Sequence, residues 1–579
     1  MSENVSFRNK TYHLILIALS TLLVFASLFI FRQIDNNRLT NWNWAFSGVD
    51  VSFISLVLLA GICVAYFISR LSFLEDHPRS SLMLLSFLLC LPFWKEPEVV
   101  VDTSRYFTQA KHLKEYGIPY FLAEWGHDIN AWTDLPLLPF VYGVIFKFFG
   151  ENRVIIQMFS TLLFSTTVLF TYLTGKVLWN EKLGYSAGLL LLGMPYLLTQ
   201  PPLMLVDIAT MCFLAFAVYA FIMVLRKGGA WNVISSMAIF LAFFSKYSTW
   251  MLLSVLVVIF VVYLFQNTDH RTQITDGQQA KTSGFRICFQ RGLFVAIITL
   301  LLAGIVIFLK FDVVSEQIHL LMTYQKPALK GWSENFISTF FYQIHPFITF
   351  AAIYSVYAAW KKRDMKYVII LWLVLIIMLL QIKRIRYILP MFPMITLMAA
   401  YGFQVMKDDQ IRRFAVLSAV IPSLVIALFV YLPFLKQMGS ANLMHAGIYL
   451  DSIEASVVEV ITLPSDTSSI NPSVSVPILD YFTEKNIYYD YHRTYLPDNV
   501  SMLPLRFTWT YENPAYYDSE SLIGIQENMP LVVITTGQEG EYPDEIKNKI
   551  KHYSKAAEFN ISTGFFRYSP GVIVFMPDG

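Results

Sequence analysis

The chain has 579 residues, of which 56% are hydrophobic, 16% aromatic and only 15% charged. A soluble chain of this length carries about 25% charged residues, so the composition excludes a soluble globular enzyme, and a net charge of +2 gives no basis for a nucleic-acid partner. Four cysteines (Cys63, Cys90, Cys212 and Cys288) have no metal-ligand spacing between them, so neither a disulfide framework nor a zinc knuckle is implied.

Apolar runs near the ~20 residues that cross a bilayer recur from residue 13 to residue 434. The runs 13–31, 51–68, 80–94, 154–178, 184–200, 204–226, 231–245, 249–265, 292–309, 339–359, 366–382, 388–404 and 414–434 predict a polytopic helical membrane protein with about thirteen spans. The first run is too long and too weakly cleavable for a signal peptide and is read as a retained helix.

Between the third and fourth runs lies the longest polar interruption of the N-terminal half, 95–149, part of a first large loop spanning 95–153. Asp102 opens a piece with helical spacing (Tyr106, Ala110, Leu113), and Ile118, Pro119 and Tyr120 turn the chain. Trp125, His127, Asp128, Trp132 and Asp134 then follow in a loop. The run 136–149 is short, begins with Pro136 and Pro139 and contains Lys147, which predicts an interfacial helix. With that run lying in the interface, Lys176–Lys182, Arg226–Lys227, the 266–291 loop, Lys361–Lys366 and Lys407–Arg413 share one side. By the positive-inside rule that side is the cytoplasm. The N-terminus is then inside, and the 95–149 loop, the 310–338 loop and the C-terminal region are outside.

Residues 1–435 form the membrane domain and 436–579 a second domain. The tail holds nine Lys and Arg against eighteen Asp and Glu, whereas the membrane part is basic, which suggests that the two face different compartments. The tail reads as a small extracytoplasmic α/β domain, with strands at 457–463, 530–537 and 572–577 and helices at 474–486 and 544–559. It has neither a Gly-rich phosphate loop nor triad spacing, and its expected role is accessory or acceptor-facing.

An ionisable group at the edge of the hydrocarbon costs a few kcal/mol unless it is paired or solvated. Asp102 stands near the outer end of the third span, where a plain helix-terminal carboxylate is the alternative. Asp207 lies a few residues inside a span after Pro201–Pro202, where it either pairs locally or faces a polar cavity. Lys246, Lys383, Arg384 and Arg386 sit at outer helix ends, against the topological bias. Snorkelling explains one such cation, but four suggest an anionic partner, and Arg binds phosphate through a planar fork. His345 lies in the outer turns of another span, where a lone histidine is more often a core residue. These residues predict a cavity with an acidic wall (Asp102, Asp207) and a basic wall (Lys246, Arg384, Arg386), with Lys383 in the expected binding set. Tyr106, Asp134, His345 and Tyr387 complete the expected binding set. The basic wall would hold a phosphate as leaving group, and a carboxylate would take the proton of an attacking hydroxyl. Two other readings compete. A transporter or flippase of a lipid-linked or anionic solute needs broken helices near the midplane, and Pro interruptions occur at 195–202 and 390–393 without repeat symmetry. A membrane anchor for a binding module leaves the outer cations unexplained.

Five pieces run in order over roughly 80 to 405: VVVDTSRYFTQAKHLKEYGIP, WTDLPLLPFVYGVIFKFFG, GYSAGLLLLGMPYLLTQPPLMLVDIATMCFLAF, FFSKYSTWMLL and RYILPMFPMITLMAAYG. In these the chain resembles the GT-C superfamily of integral-membrane glycosyltransferases. The nearer likeness is to the branch of the protein O-mannosyltransferases and lipid A aminoarabinose transferases. The resemblance implies transfer of a sugar, with inversion, from a polyprenyl-phosphate carrier to a hydroxyl of a protein, lipid or glycan on the outer face of a prokaryotic plasma membrane. It puts Asp102 in the place of the first-loop catalytic carboxylate, Asp207 in that of a second outer acid, and Lys246 and 383–386 near the donor phosphate. It makes 136–149 a juxtamembrane helix. Thr103 stands where the family often has a second acid, and Leu135–Pro136 where it has Pro-Pro. These departures leave open whether a divalent metal is used.

Overall fold

The computed structural model describes residues 2–35, 45–71, 73–269, 277–325, 335–380, 382–463, 470–490, 508, 514–518, 529–536, 542–562 and 568–578. Two helices begin the chain, α1 (Ser2–Phe31) and α2 (Val51–Ser69), followed by α3 (Pro78–Cys90). Next come α4 (Asp102–Glu124) and α5 (Leu137–Phe149), the two helices of the first large loop. The bundle continues through α6 (Arg153–Leu178), α7 (Glu181–Leu192), α8 (Asp207–Lys227), α9 (Trp231–Phe243), α10 (Val255–Asp269), α11 (Gly277–Leu309) and α12 (Phe311–Leu320). It closes with α13 (Pro346–Lys362), α14 (Tyr367–Leu379), α15 (Phe392–Phe403) and α16 (Asp409–Ile426).

Among the described residues eight helical stretches are long and apolar enough to cross a membrane, and Leu137–Phe149, Trp231–Phe243 and Tyr367–Leu379 are shorter apolar helices. The remaining runs of the thirteen expected are cut short by their own sequence. Gly193 and Pro195 end the 184–200 run as a continuous helix, and Pro346 restarts the 339–359 run after a π-turn at Ser338–Tyr342. The expected 249–265 span is one of the eight, with its helix broken between Tyr247–Leu252 and Val255–Asp269.

Helix starts follow the capping chemistry of the sequence. Asp50, Asn152, Asn180 and Asp408 each accept a backbone N–H of the helix they precede. α6 and α7 lie so close that a Cβ on Gly184 would meet the Tyr172 carbonyl oxygen at 2.3 Å, so only glycine fits there. α8 and α15 form the buried centre, with almost every residue of each inaccessible.

The first loop folds as a bent α4 followed by α5. Gly117 (φ 89°) breaks the helix two residues before Pro119, at the turn expected from Ile118–Pro119–Tyr120. α12 packs on the 125–134 stretch. Gln317 Nε2 donates to the Asp134 carbonyl at 2.9 Å, and Lys310 Nζ donates to the Ala123 carbonyl at 2.5 Å. Residues 326–334 of the 310–338 loop lie outside the described residues.

The C-terminal region holds α17 (Ala441–Asp451), β1 (Val457–Leu463), α18 (Ser475–Asp480), β2 (Asn486–Tyr489), β3 (Leu531–Thr536), α19 (Asp544–Ile550), β4 (Tyr553–Phe559) and β5 (Pro570–Pro577). The sheet order is β2-β1-β3-β5-β4, with β1 parallel to β2 and β3, and β5 antiparallel to β3 and β4. Val458, Val460, Val532, Ile534, Val572 and Val574 face the helices, while Leu531, Val533, Ile573 and Phe575 line the other side. That two-sided burial explains the unbroken apolar runs. One expectation is corrected: 544–559 is not one helix, because α19 ends at Ile550 and 553–559 is the edge strand β4. Its Lys555 and Glu558 mimic a helical charge pattern, but they are the polar side chains of an exposed sheet edge, and pairing with β5 overrides the propensity. The other expected helix, 474–486, is confined to Ser475–Asp480.

Candidate active site

Residues far apart in sequence meet where α4, α8 and the turn before α15 begin. Asp102 and Asp207 are the first residues of α4 and α8. There the unsatisfied N–H groups and the helix dipole favour negative charge. Lys246 caps the short helix Tyr247–Leu252 after α9, and Arg386 lies in the single turn Ile385–Ile388 that leads into α15.

The side chains form a chain of alternating charge. Lys246 Nζ lies 2.6 Å from Asp207 Oδ1, and Arg386 Nε lies 2.7 Å from Asp207 Oδ2. The Nη1 of the same guanidinium donates to Asp102 Oδ2. Arg105 Nη2 stands 3.6 Å from Asp102 Oδ1 and 3.1 Å from Asp134 Oδ1, and Gln109 Nε2 donates to Asp134 Oδ2 at 3.1 Å. Three cations and three carboxylates thus balance. The expected opposition of an acidic and a basic wall is corrected: the acids and bases interleave in direct ion pairs. The reason is energetic, since an uncompensated charge buried here costs several kcal/mol. Side-chain exposure separates the members. Asp207 (1%), Arg386 (5%) and Asp134 (6%) are closed off, whereas Arg105 (15%), Asp102 (18%) and Lys246 (19%) reach solvent.

Electrostatics follow the geometry. Burial pushes the Asp102 carboxyl up, but Arg386, Arg105 and Arg384 outweigh it and hold the group well below the usual carboxylate range. For Asp134, burial and the nearby Asp102 charge prevail over Arg105, and its carboxyl is raised.

The other expected residues fall into two groups. Tyr387 lies beside the chain, with Lys246 Nζ 4.7 Å and the Arg384 guanidinium carbon 5.7 Å from its ring centre. Tyr106 is buried beneath it, packed with Phe107, Leu138 and Tyr142. Lys383 is exposed, and its carbonyl accepts from Thr339 Oγ1 at 2.8 Å. His345 sits apart in its contacts: it caps α13, with Nδ1 accepting the Phe347 N–H at 3.2 Å.

Two elements escaped the sequence reading. Arg105 joins Asp102 to Asp134, and its signal was the helical i, i+3 spacing from Asp102. The second is a buried clamp around Glu98. Its Oε1 lies 3.1 Å from Arg153 Nε, and its Oε2 accepts from Thr103 Oγ1 at 2.9 Å and from the Met204 N–H at 3.2 Å. Arg153 also donates to the carbonyls of Trp94 and Glu96. The clamp ties the start of α4 to the start of α6 and to the turn before Asp207. Thr103 therefore turns away from the charge chain. Beside Arg105, Trp132 carries a positive φ of 43°, rare for a bulky residue, and its ring centre lies 5.4 Å from the guanidinium carbon. Among the described residues no group of three or more His, Cys, Asp and Glu could hold a metal ion.

Residues 134–281 match the family model for dolichyl-phosphate-mannose-protein mannosyltransferase, a segment that contains Asp134, Asp207 and Lys246. No curated protein matches the chain. Among solved structures the chain is similar to ArnT from Cupriavidus metallidurans bound to undecaprenyl phosphate. Identity is 11% and the TM-score 0.49, over 91% of this chain and 98% of that one. The Archaeoglobus fulgidus oligosaccharyltransferase AglB, in complex with an inhibitory peptide and a dolichol-phosphate, gives 12% identity and a TM-score of 0.45, over 80% and 70%. Over residues 134–281 the chain is therefore similar to this mannosyltransferase family.

Proposed function

We propose that the chain transfers a sugar from a polyprenyl-phosphate carrier to a hydroxyl-bearing acceptor at the outer face of the membrane. The observation that carries this reading is the exposure pattern of the charge chain, which leaves one carboxylate (Asp102) and one ammonium (Lys246) open on either side of a closed Arg386–Asp207 pair. The matched family's description names dolichyl-phosphate-mannose as donor and protein as acceptor, and this supports a lipid-phosphate sugar donor.

In this scheme the donor phosphate docks on Lys246, with Arg384 and Lys383 on its flank and Asp207 holding Lys246 and Arg386 in place. Trp132 and Tyr387 offer ring faces to the sugar. As the phosphate draws on Arg386, Asp102 loses part of its ion pair and becomes more basic. The acceptor oxygen attacks the anomeric carbon as its proton passes to Asp102. The bond from that carbon to the phosphate oxygen breaks, and the polyprenyl phosphate leaves with its charge held by the cations.

The test is polyprenyl-phosphate release in proteoliposomes, with a panel of hexosyl and pentosyl polyprenyl phosphates and a membrane extract as acceptor source. Asp102→Asn is expected to lower turnover by about 10²–10⁴ with the donor KM little changed. Lys246→Ala is expected to raise the donor KM. Near-normal turnover in Asp102→Asn refutes the general-base role, and lipid movement across the bilayer without release refutes the transferase reading.

A further inference from the structure

A cleft lies between the helical bundle and the C-terminal sheet domain, lined by none of the charge-chain residues. It encloses about 570 Å³ between the second half of α4, the turn after α5, and the loop that leads from α18 into β2. That volume is in the usual range for small-ligand sites, about 300–1,000 Å³.

The floor is a built polar network. Lys111 Nζ lies 2.6 Å from Asp480 Oδ2 and 3.2 Å from Glu151 Oε2, and the Tyr517 hydroxyl donates to the same Asp480 oxygen at 2.6 Å. Lys114 Nζ completes it, 2.8 Å from Glu151 Oε1. The Asp480 side chain is 2% exposed. Above this floor stands the half-buried ring of Tyr516, packed at 4.6 Å and 69° on the buried Tyr517, and Tyr116, 42% exposed, forms part of the rim.

The charge pattern decides the class of ligand. Both lysines of the floor already have carboxylate partners, and Lys485 donates to the Ile453 carbonyl at 2.8 Å. Lining carboxylates (Glu115, Glu151, Asp480, Glu484) outnumber the lining lysines, so a phosphate or another anion meets no surplus of positive charge. A sugar suits this surface. Its hydroxyls donate to carboxylates and accept from ammonium groups, and its ring faces lie on tyrosines.

We propose that this cleft binds a neutral carbohydrate of the acceptor, so that the C-terminal domain and α4 together present a glycan to the transferase site. The inference rests on the transferase reading above, and it makes the acceptor class a glycan or glycoconjugate. The experiment is a binding measurement that needs no turnover: the purified full chain in detergent, its chain-specific retention on an array of neutral oligosaccharides, then titration with the strongest free oligosaccharide. Asp102→Asn is expected to bind as the unaltered chain does, while Tyr516→Ala weakens binding at least ~10-fold, the loss of one stacking face. Tyr116→Ala, at the exposed rim, provides a second variant whose folding is not at issue, with a smaller loss in the same direction. Retention of no oligosaccharide, equal retention by both tyrosine variants, or displacement by inorganic phosphate at equal concentration overturns the cleft proposal and leaves the transferase reading standing. Glycan binding without donor turnover by any variant or the unaltered chain supports the cleft and counts against the transferase reading.

Discussion

Arg386→Gln is the perturbation to which the charge chain is most sensitive. Arg386 is 5% exposed and bonds two carboxylates, one of which, Asp207, is 1% exposed. Surface ion pairs are worth about 0–1 kcal/mol, but breaking a buried pair costs about 3–5 kcal/mol because a charge is stranded. Asp207 keeps Lys246 at 2.6 Å, which offsets part of the loss, whereas Asp102 turns to Arg105 at a looser 3.6 Å. A net destabilisation of about 3 kcal/mol follows. Extending the size trend of unfolding to so long a chain gives a fall in the thermal midpoint of roughly 2–4 °C. The assay is thermal unfolding in detergent of the single variants and of Arg386→Gln combined with Asp207→Asn. If stranded charge is the cause, the second substitution restores about 1.5 kcal/mol or more of what the first removed, and the cycle is strongly non-additive. A midpoint shift below about 1 °C in Arg386→Gln, or strictly additive variants, refutes the reasoning.

Two further outcomes follow from the same geometry. Asp102 has a folded-state pKa below its unfolded value near 3.8, so its ionisation contributes stability above that value, lost only as the pH falls through the depressed one. The acid limb of turnover should therefore not carry the Asp102 titration above about pH 4 in the free enzyme, and Arg105→Gln should move that limb upward; an unmoved limb argues against Asp102 as its origin. In the clamp, Glu98→Gln strands Arg153 and is expected to cost about 3 kcal/mol. Thr103→Val, which loses one hydrogen bond, is expected to cost about 1–2 kcal/mol, and thermal unfolding that ranks them in the opposite order refutes the clamp.

What could be read in the sequence was what local pattern determines. Run length located α1, α2, α6, α8, α11 and α16, since a bilayer-length apolar helix is written in consecutive residues. Strands β1, β3 and β5 were legible because burial on both faces leaves an unbroken apolar run. β4 was not, because an edge strand carries solvated Lys and Glu at spacings that a helix also uses. At the site, the charges out of place in their runs (Asp207, Lys246, Arg386) carried their own signal, the cost of burying them. Glu98 and Arg153 did not, because each sits at a helix boundary where a charge needs no explanation. Only the fold shows that Glu98 is fully buried and bonded to three separate segments.

The difference between two facing walls and one interleaved chain also changes what a substrate must do. Facing walls would leave cations free to take up a phosphate directly. In the chain, Arg386 and Lys246 are already engaged by carboxylates, so an incoming phosphate gains only what it adds beyond those pairs. Displacing a carboxylate is favourable only where that carboxylate has somewhere else to go. Asp207, 1% exposed and bonded on both oxygens, has nowhere, whereas Asp102 is partly solvated and retains Arg105 on its other side. Exchange is therefore confined to the Arg386–Asp102 link, the one joining the closed pair to the open carboxylate. In the proposed scheme, a phosphate docked on Lys246 would then reach the Asp102 carboxylate through this one link.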